Sequence, residues 1–379
     1  MLSELDCNPL ELRNSYSSSS FLTELSQSKL FSLKNKAEWS EYLSKLPDSV
    51  QDIYYSPEYY DLWEKNYDGK AFCFVFEDGN HLALYPFLLN RINDLGYKLQ
   101  ESYYDIQGAY GYNGVVYSSN DFDFRKRFYS SFNKFCKSNN IIAEFTRFNP
   151  ILGNNKFSEN FYDVIYDRQT VNIDLSKKYD YIYKDYSRSA KQNLRTAVVA
   201  GLNNIVYKNV FPYKKEFIKI YRETMDRVQA ERYLYFNDDF FNDTFNISTL
   251  IQFVVFKDNI PVASSLCFGE EDYLHVHFLA SKSDYLSIRP NNFLFDIMIK
   301  YGIGMGFKKL HLGGGTTSSQ NDYLLRFKKN FSKATSDFYI GKKIYNEEVY
   351  SNILLQWGEK YPNLVNKHSN KILRYRYFS

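Results

Sequence analysis

The chain has 379 residues, of which 44% are hydrophobic and 24% are charged, which is the composition of a globular protein with room for two domains. Lys and Arg total 47 against 44 for Asp and Glu, and the resulting net charge of +3 argues against broad, non-specific nucleic-acid binding. Four scattered cysteines without a CxxC pair favour reduced thiols over a disulfide or zinc framework.

The chain begins with a polar, serine-rich stretch, and we expect residues 1–45 to form a loosely structured N-terminal segment. Acidic residues occur early, and no apolar run resembles a signal peptide. No stretch approaches the roughly 18 uninterrupted apolar residues of a membrane helix, so no transmembrane segment is predicted. A cytoplasmic location is expected.

Two similar segments indicate an internal duplication. VFEDGNHLAL (75–84) and VFKDNIPVAS (255–264) each predict a β-hairpin, and each is followed by an extended segment, a helical stretch and a short strand. The predicted fold class is therefore α/β (α+β), with two tandem domains, each a mixed twisted sheet flanked by helices. The expected domains are 46–168 and 169–345, followed by a C-terminal helix and tail at 346–379.

Helical and strand patterns follow each predicted hairpin. Residues 122–139 have apolar residues at helical spacing, and 141–148 form a β-branched and aromatic strand pattern. In the second half, 288–307 predicts a helix with Pro290 in its first turn, and KKLHLGGG predicts the next strand. The join between the halves is expected near residues 165–175.

Two loops of the first half combine aromatic and polar residues. AYGYNG contains Tyr110 and Tyr112, and TRFNP contains Arg147 and Asn149. Sugar sites use aromatic platforms with polar edges, although ordinary loops share this composition. Both interpretations remain open from these residues alone.

A basic helix is predicted in YSRSAKQNLRTAVVAGL (186–202). Arg188, Lys191 and Arg195 fall on one helical face, where they could bind phosphate or another polyanion. A solvated charged face is the simpler interpretation.

The segment 271–282 predicts a strand that contains two of the five histidines. Alternation places four side chains on one face: Tyr273, His275, His277 and Leu279. Phe278 is expected on the opposite face. An imidazole on this face could accept a proton from an amine, or it could be a buried, hydrogen-bonded strand residue. No third ligand occurs at a diagnostic spacing, so no metal site is predicted.

The stretch GGGTTSSQND (313–322) follows the predicted strand KKLHLGGG. Its spacing matches neither GxGxxG nor a P-loop, so it indicates a turn or a close approach of backbone to ligand. The run RFKKNFS (326–332) is expected to begin a basic strand. Lys328 could there stabilise an oxyanion or hold a phosphate, or it could simply be solvated.

Taken in order, eight short segments resemble the FemABX-like branch of the GNAT acyltransferase superfamily over about residues 50 to 345. The segments are AYGYNG, TRFNP, YSRSAKQNLRTAVVAGL, YRETMDRVQAERYLYF, YLHVHFLAS, RPNNFLF, HLGGG and RFKKNFS. The resemblance implies tandem GNAT-like domains and transfer of an acyl or aminoacyl group to an amine. It also implies that Lys328, after Phe327, matches the lysine of the Phe-Lys motif at the acyl-transfer centre of the peptidoglycan-bridge enzymes.

The resemblance leaves the donor open. Peptidoglycan-bridge members use aminoacyl-tRNA, whereas members encoded with surface-polysaccharide genes are thought to acylate amino sugars from acyl-CoA. The [QR]xxGx[GA] loop that binds CoA in typical GNAT enzymes is replaced here by SKSDYLSIRPNNF (281–293). The long charged coiled-coil arm of many tRNA-dependent members is also absent.

The predicted function is N-acyl transfer, with acyl-CoA as co-substrate, to the amine of an amino-sugar nucleotide or glycan precursor in surface-polysaccharide biosynthesis. Alternatives are tRNA-dependent aminoacyl transfer to a cell-wall peptide and a non-catalytic glycan-binding module. Lys328 is expected to stabilise the oxyanion, and His277 or His275 to accept the amine proton. The expected donor- and substrate-binding residues are Tyr110, Tyr112, Arg147, Asn149, Arg188, Lys191, Arg289, Asn292, Gly314 and Phe327. The oligomeric state is left open.

Overall fold

A computed structural model describes residues 27–67 and 69–378, in which strands from both halves of the chain form one mixed sheet. The strands are β1 Ser28–Ser32, β2 Lys70–Asp78, β3 His81–Arg91, β4 Tyr104–Gln107, β5 Val116–Tyr117, β6 Ile141–Arg147, β7 Asp163–Asp174, β8 Asn203–Lys208, β9 Leu250–Lys257, β10 Ile260–Glu270, β11 Tyr273–Ser281, β12 Lys309–Gly314 and β13 Thr335–Ile344. The helices are α1 Lys36–Ser44, α2 Pro57–Asn66, α3 Phe122–Ser138, α4 Asn155–Ser158, α5 Tyr179–Asp185, α6 Arg188–Val199, α7 Lys214–Arg227, α8 Asp238–Thr244, α9 Pro290–Met305, α10 Tyr323–Lys329, α11 Glu347–Lys360 and α12 Pro362–Val365.

The predicted α/β class and the duplicated unit are both confirmed. In the first half, the β2–β3 hairpin pairs with β4, helix α3 follows, and β6 returns parallel to β4. In the second half, the β9–β10 hairpin pairs with β11, helix α9 follows, and β12 returns parallel to β11. The two units thus share connectivity and strand direction.

The halves meet through shared strands. The sheet order is β1-β2-β3-β4-β6-β13-β7-β12-β11-β10-β9-β8, with β5 beside β3. Strand β13 comes late in the chain yet lies between β6 and β7, and β7 in turn pairs with β12. The expected boundary between residues 168 and 169 falls inside β7, so the join is a continuous strand.

The part of the predicted loose N-terminal segment that the structure describes is ordered, and residues 1–26 lie outside the described residues. Strand β1 pairs antiparallel with β2, and helix α1 packs against the first half. Trp39 of α1 is fully buried, and its indole Nε1 donates to the Tyr55 carbonyl at 2.9 Å. The sequence prediction was wrong for residues 27–45 because the serine-rich composition ends before this apolar anchor.

The basic run after the glycines is a helix, which corrects the predicted strand. Asp322 is its N-cap, and the carboxylate accepts from the Leu325 backbone N–H at 2.9 Å. The sequence YLLRFKK that follows consists mostly of good helix formers. Lys328 therefore lies in the last turn of α10.

A β-bulge in β11 corrects the predicted faces of that strand. Val276 pairs with Cys267 and Phe278 with Leu266, so His277 is an extra residue between two regular pairs. Phe278 consequently packs in the same core as Leu266, whereas Leu279 packs in the core on the opposite side of the sheet. His275 and His277 share a face as predicted, but Leu279 does not.

One apolar core spans both halves. It joins Tyr54 and Tyr59 of the first half to Phe268 and Phe278 of the second half. The second-half core on the other face packs α9 against the sheet. Residues 27–67 and 69–378 contain no helix with the length and hydrophobicity needed to span a bilayer.

We expect Trp39→Ala to lower the free energy of unfolding by about 3–5 kcal/mol, because it removes a fully buried indole and its hydrogen bond. Urea unfolding monitored by circular dichroism measures the change. Ser40→Ala, at the exposed neighbouring position, is the matched control and should stay within about 0.5 kcal/mol. Equal stability of the two variants would show that α1 is not part of the folded unit.

Candidate active site

Two histidines meet where β11 and β12 stop pairing. The parallel register between these strands has three pairs, Tyr273–Lys309, Leu274–Leu310 and His275–His311. The His275 and His311 Nδ1 atoms are 3.3 Å apart, and both side chains are at most 2% exposed. Beyond this pair, β11 continues beside β10 and β12 beside β7. We call the space between the separating strands the strand gap.

A buried carboxylate from the first half completes this arrangement. Asp52 is 1% exposed, and its Oδ2 lies 2.9 Å from His275 Nε2. The same oxygen accepts from Asn149 Nδ2 at 2.9 Å, and Oδ1 accepts from the Tyr54 backbone N–H at 3.3 Å. Three donors therefore surround Asp52, as expected for a buried charged acceptor.

Lys328 approaches the strand gap from helix α10. Its Nζ donates to the Gly314 carbonyl at 2.7 Å. Burial lowers the pKa of Lys328 to about 7, against the opposing effect of Asp322. The ammonium is therefore easily deprotonated near neutral pH.

Gly313 permits this approach. Its φ of +75° favours glycine, and a Cβ at this position would lie 3.3 Å from Lys328 Nζ and 4.0 Å from the Tyr112 hydroxyl. The Tyr112 ring also lies 5.2 Å from the His311 ring, measured between centroids. The side chains of Lys328, Tyr112 and His311 thus converge over one glycine.

Asp322 fixes the polar loop between β12 and α10. Its Oδ2 accepts from the backbone N–H and hydroxyl of Thr316, at 3.0 and 2.7 Å, and from the same two groups of Thr317, at 2.9 and 3.1 Å. Burial opposes the charged form, but these bonds and the one from Leu325 hold the pKa of Asp322 well below its usual range. The glycine stretch is therefore a capped turn that positions Lys328.

Burial also lowers the pKa of His311 well below its ordinary value, and the neighbouring His275, Lys328 and Lys309 add to this effect. His311 is consequently neutral at pH 7. Its Nε2 has no hydrogen-bond partner among the described residues. A buried imidazole nitrogen without a partner is uncommon in proteins, and this one belongs to a residue beside Lys328.

His277, one of the two predicted proton acceptors, lies in a separate aromatic environment. Its Nδ1 is 3.1 Å from the Tyr54 hydroxyl, and its ring contacts Phe268, Phe278 and Tyr110. Burial, and then the adjacent His275, lower the pKa of His277 to about 3. Within the described ranges no hydrogen bond or ring contact joins His277 to Lys328. The histidine beside Lys328 is instead His311.

Of the predicted acceptor-binding residues, two have structural contacts. Asn149 is fully buried, donates to Asp52 and accepts from the Ile151 N–H at 2.9 Å. Arg147 Nη2 donates to the Gly108 and Ala109 carbonyls at 3.3 and 3.1 Å. Arg147 therefore holds the start of the segment that carries Tyr110 and Tyr112, which remain partly exposed.

The predicted donor-binding residues lie around the start of α9 and on α6. Arg289 has a φ of +64° and is the exposed N-cap of α9, and Asn292 is 5% exposed with an unpartnered Nδ2. Arg188 is exposed, whereas Lys191 donates to the Lys184 carbonyl at 2.9 Å. Among the described residues, no hydrogen bond or ring contact links these side chains to Lys328.

Of the last two predicted binding residues, Phe327 is a core anchor. Its ring packs on Phe295 and Phe331 at centroid distances of 5.3 and 5.8 Å. Gly314 contributes its carbonyl to Lys328. Both residues therefore position the lysine.

Sequence reasoning missed Asp52, His311 and Asp322. His311 lies two residues before the glycines, but its position opposite His275 depends on the register between β11 and β12, which sequence spacing does not give. Asp322 is a recognisable N-cap before YLLRF. Asp52 had no local pattern, because its role depends on contact between the two halves.

Comparison with known proteins supports the fold. No family model and no curated protein matches the sequence. The structure of FemX matches with a TM-score of 0.64 at 12% identity, over 85% of this chain and 99% of that one. L-PGS from Bacillus licheniformis matches with a TM-score of 0.55 at 12% identity, over 85% and 96%. The C-terminal domain of a putative lysylphosphatidylglycerol synthetase from Agrobacterium fabrum gives 0.50 at 14% identity, over 86% and 96%.

These similarities confirm that the chain has the fold of FemX, as the sequence resemblance implied. At 12–14% identity they establish the fold and not the substrate. In residues 27–67 and 69–378, no three His, Cys, Asp or Glu side chains are grouped to hold a metal ion.

We expect Asp52→Asn to lower the free energy of unfolding by about 1–3 kcal/mol, because its amide N–H groups would face donors that the carboxylate now satisfies. Urea unfolding measures the loss. Asp48→Asn, at a nearby exposed position, is the control and should change stability by less than about 0.5 kcal/mol. Unchanged stability of the Asp52 variant would contradict the arrangement of three donors.

Proposed function

We propose that this protein is a cytoplasmic N-acyltransferase that transfers an acyl group from acyl-CoA to the amine of an amino-sugar nucleotide or glycan precursor for the cell envelope. The observation that carries the proposal is the half-buried Lys328 ammonium, held over Gly313 beside Tyr112. A cation held in a partly desolvated site suits the stabilisation of a developing oxyanion. The FemABX-like fold supports acyl or aminoacyl transfer as the reaction class.

The chemistry needs an amine attack on a carbonyl. The amine lone pair forms the C–N bond, the carbonyl oxygen becomes an oxyanion, the C–S bond to CoA then breaks and the thiolate leaves. Lys328 would donate to the oxyanion, and a base must remove the proton that the nitrogen loses. Of the two predicted bases, His277 is isolated from Lys328 by its aromatic surroundings, and both His275 ring nitrogens already have partners.

The acyl chain would enter the strand gap, and the exposed Arg289 and the buried Asn292 at the start of the 16-residue helix α9 would receive donor phosphates. Helix N-termini favour anions through their free N–H groups. Tyr110 and Tyr112 would contact the acceptor.

A second candidate is aminoacyl transfer from tRNA to a cell-wall peptide. Segment 281–293 forms a 3₁₀ helix at Ser283–Ile288 in place of the CoA-binding glycine loop, so acyl-CoA is not secured as the donor. The solved structures similar to this chain include a putative lysylphosphatidylglycerol synthetase domain.

Product formation in a mass-spectrometric screen tests the two donors. The purified chain is incubated with acyl-CoAs of several chain lengths and with a set of amino-sugar nucleotides. A product whose mass increases by the acyl group supports the main proposal. Activity that appears only in cell extract and is abolished by RNase supports the tRNA-dependent reaction. Tight glycan binding without any product would indicate a binding module.

For the reactive donor–acceptor pair found in that screen, we expect Lys328→Ala to lower kcat by roughly a hundredfold or more, because it removes the oxyanion donor. Steady-state kinetics measures the effect. Lys329→Ala is the matched control on the same helix, since Lys329 donates to Gln169 Oε1 at 3.0 Å instead. The control should stay within about threefold. A Lys328→Ala enzyme within about threefold of wild type would refute the assigned role.

We also expect kcat to decline as pH rises through about 7, because the catalytic form of Lys328 is the ammonium and its pKa is lowered to about 7. A pH–rate profile in the presence of saturating substrates measures this decline. In Lys328→Arg the guanidinium stays protonated, so this decline should disappear even if the rate is reduced. An unchanged profile in Lys328→Arg would assign the decline to another group.

A further inference from the structure

Asp52, His275 and His311 form a hydrogen-bonded chain that ends at the unpartnered nitrogen of His311. Asp52 Oδ2 lies 2.9 Å from His275 Nε2, and His275 Nδ1 lies 3.3 Å from His311 Nδ1. All three side chains are at most 2% exposed. Water therefore does not compete for these hydrogen bonds, and the protein alone decides where the protons lie.

The Asp52 carboxylate determines which nitrogen donates in each of these hydrogen bonds. An ionised carboxylate only accepts, so His275 must carry its proton on Nε2 and donate it to Asp52. A neutral His275 then has a lone pair on Nδ1, which accepts from a proton on His311 Nδ1. His311 is left with a lone pair on Nε2, the atom without a partner among the described residues.

We propose that His311 is the general base of the transfer reaction and that Asp52 and His275 are positioning residues that hold it in the Nδ1–H tautomer. The inference rests on the proposed acyl transfer and names a base that the sequence did not identify. His311 lies where the reaction needs a base, because its ring contacts Tyr112, whose hydroxyl lies over Gly313 with Lys328 Nζ.

The proton balance is complete. As the amine nitrogen bonds to the acyl carbon, its proton moves to His311 Nε2 and forms an imidazolium. The Nδ1–H bond to His275 and the negative charge of Asp52 stabilise that cation, while Lys328 stabilises the oxyanion. When the intermediate collapses, the proton can pass to the leaving group, so His311 returns to its starting form.

Imidazole tautomers give a test that needs no substrate. The full chain is labelled with ¹⁵N-histidine, and long-range ¹H–¹⁵N spectra at pH 7 show which nitrogen of each of the five histidines is protonated. Single His→Asn variants assign the signals. We expect His275 to carry its proton on Nε2 and His311 on Nδ1. A His311 protonated on Nε2, or an imidazolium at either position, would overturn the proposal.

Kinetics tests the catalytic part. His311→Asn keeps a donor near the position of Nδ1 but removes the base, so kcat should fall by about a hundredfold or more while KM for the acceptor changes less than about threefold. His277→Asn is the comparison variant, and a larger loss there would transfer the role to His277. The substrates are the acyl-CoA and amino-sugar nucleotide that give product with wild type.

The kinetic experiment and the tautomer spectrum can fail independently of each other. If no acyl-CoA and acceptor pair gives product, the proposed function fails and the base assignment fails with it, whereas the tautomer spectrum still decides whether the hydrogen-bonded chain exists. If wild type is active and His311→Asn retains more than about a third of kcat, only the base assignment is wrong. Should His311→Asn not fold, as judged by thermal unfolding, the wild-type spectrum is decisive.

Discussion

The short pairing between β11 and β12 is the constraint on which the candidate site depends. Because the strands share only three residue pairs, the backbone separates just after His275 and His311 and leaves a gap in an otherwise continuous sheet. The pairing register alone places two imidazoles in contact there, and Asp52 from the first half closes the group.

The two copies of the duplicated unit differ at the point where their parallel strands separate. In the first half, the corresponding parallel strands β4 and β6 separate after Gln107, but the segment that follows returns to fill the space. Asn113 forms a parallel bridge with Phe148, and its side chain lies so close to Gly108 that a Cβ there would come within 2.3 Å. The same segment extends Tyr110 and Tyr112 toward the second half. The space between β4 and β6 is therefore filled, and the loop that fills it places Tyr112 against His311 in the second half.

Much of the fold could be predicted from the sequence, because both hairpins and the long helices have strong local patterns. The helix at Pro290–Met305 and the hairpins around residues 75–84 and 255–264 depend on periodicity and turn residues that are adjacent in the chain. Local reasoning failed where the outcome depends on distant partners. The bulge at His277 follows from pairing with β10, and the helical state of the Lys328 segment depends on a cap that also organises the glycine loop.

The candidate site was predictable in its residue types but not in its pairing. Lys328 and the strand histidines were recognisable, whereas the position of His311 near Lys328 and Tyr112 was not, since sequence spacing alone does not show which residues of β12 lie opposite β11. Asp52 illustrates the general limit. A carboxylate becomes part of a site when burial removes water and leaves it surrounded by donors, and here those donors come from Tyr54, Asn149 and His275, two of them far away in the chain. The candidate site therefore depends on the contact between the two halves, because Asp52 comes from the first half and His275, His311 and Lys328 come from the second.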